Sequence, residues 1–135
     1  MPDDSVMAVS PDQVELVWPL VAPFIDSAYA AGDEFMPKNM VEQIKDRRLV
    51  LWIGIDGRTI VAAAVTALQV MRSGLVCNMV ACGGSKLDLW SHGHLKMEEY
   101  AKAEGCVKMT CEARPGWERV LKGYSRKRII LERGL

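Results

Sequence analysis

The fold of this chain is decided by the stretch from Leu75 to Cys111, which reads LVCNMVACGGSKLDLWSHGHLKMEEYAKAEGCVKMTC. Its first part, Leu75 to Ala81, is rich in β-branched and apolar residues and predicts a strand. From Lys86 to Glu104 apolar residues recur at intervals of three and four, which predicts a helix, and Val107 to Cys111 predicts another strand. A strand, a helix of this length and a second strand normally form a right-handed crossover between parallel neighbours. The stretch therefore predicts an α/β fold.

Two further strands are predicted before this crossover. Leu49 to Ile55 is an apolar run, Asp56-Gly57 is a favoured two-residue hairpin turn, and Thr59 to Val70 is a second apolar run. Arg72-Ser73-Gly74 then breaks the chain before the strand that begins at Leu75. These segments predict a meander of three consecutive strands.

The N-terminal third predicts a short strand and two helices. The strand is expected near Val6 to Val9, and the capping pattern of Ser10-Pro11-Asp12-Gln13 opens a helix that ends at Gly32. Pro19 and Pro23 are expected to kink or interrupt this helix. A second short amphipathic helix is expected from Pro37 to about Arg47.

The C-terminal part predicts a turn, a short helix and a last strand. These are Arg114-Pro115-Gly116, Trp117 to Lys122 and Arg126 to Glu132, respectively. Taken together, the elements predict one domain over residues 1–135, with a central mixed, mostly antiparallel sheet flanked by helices.

Composition and charge narrow the classes of function. The 135 residues are 50% hydrophobic, enough for one core, and 17 basic side chains balance 17 acidic ones. A net charge of zero does not attract nucleic acid or an anionic membrane, so neither is expected as a partner. The first residues do not resemble a secretory signal, and the apolar span Ile60 to Leu68 is too short to cross a bilayer. The expectation is a soluble, cytoplasmic protein.

Cysteine and histidine spacing gives no sign of a metal centre. Cys77, Cys82, Cys106 and Cys111 form no C-x-x-C pair, and in a chain without an export signal they are expected to be free thiols. The two histidines, at positions 92 and 94, lie on different faces of a predicted helix. No metal site is expected.

The element order and two local stretches resemble one known family. Ala101-Lys102-Ala103-Glu104-Gly105-Cys106 is similar to the end of the family's crossover helix, and the stretch from Gly116 to Tyr124 is similar to its last helix. On these residues the chain resembles the GNAT superfamily of acyl-CoA-dependent N-acyltransferases, especially the compact GNAT-like proteins encoded in bacteriophage and prophage genomes. The resemblance implies transfer of an acetyl group from acetyl-CoA to a primary amine of a small molecule or protein. A homodimer, or phage structural proteins as partners, would also be compatible with it.

The resemblance implies a cofactor site at the end of the strand before the crossover helix. There the strand splays from its neighbour, so that the backbone of Val80, Ala81 and Cys82 would pair with the pantetheine arm of acetyl-CoA. The family's basic residue and two glycines at the helix start are replaced here by Ser85, Asp88 and Trp90. A replacement anion-binding turn could form if the helix starts earlier; its residues would be Gly83, Gly84, Ser85 and Lys86. An ordinary strand-to-helix turn explains the two glycines equally well.

The residues that would perform the transfer also have two interpretations each. The resemblance implies an acid near the last helix, and Tyr124 is the nearest phenol, but it also matches a core aromatic residue at that step. Glu112 could act as the base if buried, or it could be a solvated residue at a strand end. Asp33 and Glu34 could hold a cationic amine or could be ordinary loop acids. Cys82 has no adjacent histidine and is expected to be a small buried residue.

Three functions therefore remain open from sequence. The first is an N-acyltransferase, and the second is a GNAT-fold protein without cofactor binding that serves as a binding or structural component, such as part of a phage particle. The third is an acyl-CoA binder without transfer. Asp88 and Trp90 favour the second, whereas the Gly83 to Lys86 turn and the strand order favour the first.

Overall fold

A computed structural model describes residues 5–85, 87–113 and 115–135. The helices and strands follow one another in the order β1 (Val6–Ala8), α1 (Val14–Ala30), α2 (Met40–Lys45), β2 (Leu49–Asp56), β3 (Thr59–Met71), β4 (Gly74–Gly84), α3 (Trp90–Ala103) and β5 (Lys108–Cys111). Short 3-10 helices lie at Pro11–Gln13, Leu87–Leu89 and Pro115–Arg119. No helix among the described residues is long and apolar enough to cross a membrane.

The five strands form one mixed sheet in the order β1-β2-β3-β4-β5. The pairs β1–β2, β2–β3 and β3–β4 are antiparallel, as expected for β2, β3 and β4, which are joined by short turns. The pair β4–β5 is parallel and is joined through α3. The predicted crossover and the predicted mixed, mostly antiparallel sheet are therefore confirmed.

Helices cover both faces of the sheet, so each face has its own core. On one face, α1 and α2 pack through Val21, Ile25 and Ile44 against alternate residues of β2 and β3. On the other face, α3 packs through Trp90 and Met97. The end of β4 therefore lies between the two helical layers, where the chain leaves the sheet and leads into α3.

Helix α1 continues through both of its prolines. Pro19 and Pro23 lie inside the helix, which runs unbroken to Ala30, so the expected interruption is not seen. Both rings are exposed, and a carbonyl that loses its partner on this side can bond to water. The start also differs in detail: the Ser10 hydroxyl bonds to the Asp12 carboxylate rather than capping the helix, and a 3-10 turn comes first.

Helix α3 begins later than predicted. The chain forms a 3-10 turn at Leu87–Leu89 and α3 starts at Trp90, while Lys86 lies outside the described residues. Packing against β1 requires a glycine at position 93 inside the helix, because a Cβ on Gly93 would lie 2.4 Å from Cγ2 of Val6. The missing side chain allows α3 to pack closely over the edge strand.

The C-terminal predictions were partly wrong. A 3-10 helix at Pro115–Arg119 replaces the predicted helix from Trp117 to Lys122, and Arg114 of the predicted turn lies outside the described residues. No strand forms from Arg126 to Glu132; residues 125–135 have no regular secondary structure. A sequence rich in β-branched residues forms a strand only where it can pair with a neighbouring strand. Its β-propensity reflects side-chain packing against that neighbour more than a preference of its own backbone.

Candidate functional site

Strand β4 extends beyond the last residue that pairs with β5. Their register pairs Val76 with Lys108 and ends with Met79 opposite Cys111, whereas β4 continues to Gly84. Over residues 81–84, β4 remains paired with β3 on its other side. The β5 side of this part of β4, which includes Ala81 and Cys82, therefore has no strand partner among the described residues.

A β-bulge lies directly after the last β4–β5 pair. Val65 of β3 pairs with Ala81 and Thr66 pairs with Met79, which leaves Val80 as the extra residue. A bulge inserts one extra residue into its strand, so the alternation of side chains between the two faces shifts by one residue. Val80 and Ala81 consequently both pack on the α1 side of the sheet, whereas Cys82 packs on the α3 side.

An exposed stretch of strand backbone can bind an extended ligand that carries amide groups. Such a ligand adds to the sheet as another strand would, through main-chain hydrogen bonds. The site requires no particular side chain at Val80, Ala81 or Cys82. This explains why sequence patterns alone identify it poorly.

Gly83 and Gly84 are both required by contacts within the protein. A Cβ on Gly83 would lie 2.1 Å from the backbone oxygen of Phe24 in α1. Gly84 has a φ of +117°, and a Cβ there would lie 2.5 Å from the backbone oxygen of Val61. The two glycines thus allow α1 and β3 to approach the end of β4, which supports the interpretation as a packed turn.

The turn after Gly84 is only partly available to an anion. The Ser85 amide donates to the Val61 carbonyl at 2.9 Å, and the Ser85 hydroxyl lies 3.3 Å from the same oxygen. Asp88 is exposed in the 3-10 turn that precedes α3, where its negative charge opposes a bound phosphate. Of the predicted anion-binding turn, the Ser85 amide is therefore already bonded to β3, and Lys86 lies outside the described residues.

Trp90 is a core residue and does not face the turn. Its side chain is fully buried among the residues that pack under α3, and its indole nitrogen Nε1 has no hydrogen-bond partner in the described part of the structure. Its bulk occupies the position where the family resemblance expects a glycine.

Tyr124 contacts two polar side chains of α3, Glu98 and His94. Its hydroxyl donates to Oε2 of Glu98 at 3.0 Å, and its ring meets the His94 ring edge-on with centroids 5.7 Å apart. Burial, followed by the Glu98 carboxylate, raises the pKa of Tyr124. Tyr124 therefore remains protonated at neutral pH.

His94 completes this cluster from within the helix. Its Nδ1 donates to the Trp90 carbonyl at 2.6 Å, which places the proton of a neutral imidazole on Nδ1. Its Nε2 lies 3.5 Å from Oε2 of Glu98. The roles of His94 and Glu98 were not predicted, although their spacing of four on a helix is the usual signal for such a contact.

Glu112 follows β5 directly, beyond the last residue that pairs with β4. Its side chain is exposed, so the burial on which its role as a base was conditioned is absent. Its catalytic role stays a prediction.

Burial favours the protonated form of the Cys77 and Cys82 thiols on β4. Burial is the main reason that the pKa of Cys82 is raised, with the neighbouring Cys111 adding to the effect. Burial likewise raises the pKa of Cys77 to about 11. Since the thiolate is the reactive form, Cys82 is a packing residue, as predicted. All four cysteines are free.

A second group of candidate residues lies at the loop between α1 and α2. Asp33 and Glu34 line an open hollow of about 410 Å³ together with Asp26, Tyr29 and Phe35. Burial and the nearby Glu34 raise the pKa of Tyr29. Three carboxylates around one hollow favour a cationic ligand. Within the described ranges, no cluster of side chains is suited to a metal ion.

Comparison with solved structures identifies the fold. An aminoglycoside acetyltransferase from an uncultured soil metagenomic sample, in complex with trehalose, superposes with a TM-score of 0.71 at 4% identity, covering 96% of this chain and 95% of that one. A predicted acetyltransferase with acetyl-CoA from Clostridium acetobutylicum gives 0.65 at 16% identity, covering 96% and 94%. An aminoglycoside 6′-N-acetyltransferase from Acinetobacter baumannii gives 0.62 at 10% identity, covering 96% and 97%.

Sequence comparison adds nothing to these likenesses. No family model matches the chain, and no curated protein matches it. At these identities the superpositions show the fold alone. The protein is therefore a GNAT-fold protein, and the predicted fold class is confirmed.

Proposed function

We propose that the protein is an N-acetyltransferase that moves the acetyl group of acetyl-CoA to a primary amine. The observation that carries the proposal is the open β5 side of β4 beyond the Val80 bulge, in a chain with the fold of acetyltransferases. The same opening is where an amide-bearing arm can join the sheet.

The two halves of the cofactor fit this site unequally. The pantetheine arm has the free strand edge of Val80, Ala81 and Cys82 to pair with. The diphosphate would rest on the Gly83–Gly84 backbone with the charge of Lys86, since the Ser85 amide is already bonded to Val61. We therefore expect the pantetheine arm to contribute most of the affinity.

The transfer is a direct attack. The neutral amine nitrogen forms a C–N bond to the thioester carbonyl while the C–S bond breaks, giving an amide and CoA thiolate. The amine arrives as an ammonium ion and loses one proton to a base before attack, and it loses a second after attack. The thiolate leaves most readily if an acid protonates it.

We assign the acid to Tyr124 and the base to Glu112. Tyr124 holds its proton at neutral pH because burial and Glu98 raise its pKa. The same effect makes it a weaker acid than a free phenol, and its proton has to turn from Glu98 to the leaving sulfur. Glu112 would accept the ammonium proton through a water molecule, because its side chain is exposed directly after the end of β5.

Replacing Tyr124 by Phe should reduce kcat about 100-fold, the lower end of the range for a general acid. Release of CoA thiol in the presence of a panel of amines would measure it. Tyr100→Phe is the matched control, because Tyr100 lies on the same helix as Glu98 and packs edge-on against Trp52. An unchanged kcat with a lower melting temperature would show that Tyr124 is only a packing residue.

The acceptor would be a cationic amine bound at the α1–α2 hollow. Asp26, Asp33 and Glu34 supply negative charge there, and Phe35 and Tyr29 supply aromatic surface suited to a cation. Two of the solved structures it resembles are acetyltransferases of aminoglycosides, which are amines. The amine panel should therefore include small polycations beside monoamines. As acetyl-CoA is an intracellular metabolite, we place the reaction in the cytoplasm, which is the host's if the gene belongs to a phage.

A second candidate is a GNAT-fold binding or structural component, such as part of a phage particle. The observations that favour it are the bonded Ser85 amide, the exposed Asp88 at the helix start, and Trp90 in place of a glycine. It predicts no cofactor binding at all. Binding of acetyl-CoA without turnover of any amine would instead identify an acyl-CoA binder.

A further inference from the structure

The segment 125–135 lies outside the packed part of the protein. All of its residues are exposed, and no backbone hydrogen bond joins them to any other described residue. Ile129, Ile130 and Leu131 are 66%, 80% and 85% exposed, respectively. No other three consecutive large apolar side chains are exposed in the described part of the chain. Such a patch is costly in water, and it marks a place that another surface covers.

The folded body of the protein holds the start of this segment. Leu121 is buried, and the Tyr124 hydroxyl donates to Glu98 on α3 at 3.0 Å. Nε of Arg126 donates to Glu118 at 3.2 Å. The residues after Arg126 have no such contact with the described part of the structure. Binding to another surface would therefore break no backbone hydrogen bond of the fold.

The same part of the chain has a local excess of positive charge. Over residues 118–133 six side chains are basic and two are acidic, although the whole chain has 17 of each sign. The six basic side chains are exposed: Arg119, Lys122, Arg126, Lys127, Arg128 and Arg133. The net charge of zero therefore conceals a cationic region, which attracts an anionic surface within about 10 Å at moderate salt.

A basic run followed directly by an aliphatic run fits an anionic membrane better than it fits nucleic acid. Lys127 and Arg128 immediately precede Ile129, Ile130 and Leu131. Basic side chains attract acidic lipid headgroups, and aliphatic side chains beside them enter the boundary between headgroups and acyl chains. Nucleic acid would bind the same basic side chains, but it offers no apolar layer for the aliphatic ones. The segment 125–135 also has no aromatic ring on which a base could stack.

We propose that the segment 125–135 binds an anionic membrane surface. Lys127 and Arg128 lie among the acidic headgroups, and the three aliphatic side chains that follow them lie at the edge of the hydrocarbon. One short segment of this kind gives reversible binding rather than stable anchoring. The residues that bind the membrane differ from those assigned to acetyl-CoA and to the transfer, so membrane binding is measured without any cofactor.

Co-sedimentation of the wild-type protein with lipid vesicles is the first test. Vesicles of phosphatidylcholine with about one-third phosphatidylserine should bind the protein at least about tenfold more tightly than vesicles of phosphatidylcholine alone. Raising the salt concentration from about 0.1 M to about 0.5 M should weaken this binding, because the charges are screened. No binding at millimolar anionic lipid, or equal binding to both kinds of vesicle, would overturn the proposal.

Two variants separate the basic from the aliphatic contribution. Lys127→Gln combined with Arg128→Gln should weaken vesicle binding about 25-fold, at about fivefold for each charge removed. Ile130→Ser should weaken it about tenfold, because a partly inserted side chain loses part of its burial.

The matched controls are Arg58→Gln in the β2–β3 turn and Val70→Ser at the end of β3, both at exposed positions. They should leave vesicle binding unchanged. Unchanged vesicle binding by the Ile130→Ser variant would overturn the proposal. Binding of the wild type to a short DNA duplex as tightly as to anionic vesicles would also overturn it, and would identify nucleic acid as the partner.

Discussion

Gly83→Ala is expected to lower the free energy of unfolding by about 3 kcal/mol, the upper part of the range for overpacking. The added methyl group would lie 2.1 Å from the Phe24 backbone oxygen. A backbone atom cannot turn aside as the tip of a flexible side chain can. Either α1 must shift away from β4 or the end of β4 must move, and both changes disturb the core on that face.

Chemical denaturation of the variant and the wild type measures this loss. Gly32→Ala is the matched control, because a Cβ at Gly32 would meet only the Tyr29 oxygen at an ordinary 3.7 Å. Unchanged stability of Gly83→Ala would show that the close approach is not needed. If such a stable variant had also lost affinity for acetyl-CoA, Gly83 would serve the ligand rather than the packing.

Trp90→Ala is expected to lower the free energy of unfolding by about 4 kcal/mol, since it empties a large volume under α3. Trp90→Phe should cost much less. The indole Nε1 of Trp90 is buried without a hydrogen-bond partner in the described part of the structure, so its removal also removes a desolvation penalty.

Trp52 provides the comparison for Trp90. It is also buried, but its Nε1 donates to Oγ1 of Thr66 at 3.0 Å. Trp52→Phe leaves that buried hydroxyl without its donor, so it should be more destabilising than Trp90→Phe by about 1–3 kcal/mol. Equal losses, measured by denaturant unfolding, would mean that the Trp90 nitrogen has a buried water as its partner.

The local parts of the fold were predictable because local signals decide them. The Asp56-Gly57 turn sets the β2–β3 hairpin, and the apolar spacing from Trp90 to Ala101 sets α3. The strand from Arg126 to Glu132 was predicted by the same kind of signal, and it did not form. Its sequence favours a strand, but pairing depends on an edge that no local pattern encodes.

The site was less predictable because it depends on contacts between distant residues. The length of β4 beyond Met79 and the bulge at Val80 follow from its pairing with β3. Tyr124 meets Glu98 across 26 positions in the chain, and no spacing rule reaches that far. Gly83 and Gly84 were recognised as a turn, but only the approach of α1 and β3 explains why both must be glycine.

The central claim is that acetyl-CoA binds at the end of β4. Calorimetric titration with acetyl-CoA and with free CoA tests it most directly, together with the rise in melting temperature that a ligand of the native state must cause. We predict a dissociation constant in the micromolar range for both, weakened by Lys86→Glu. No heat of binding and no change in melting temperature at millimolar cofactor would contradict the account and favour the binding or structural role.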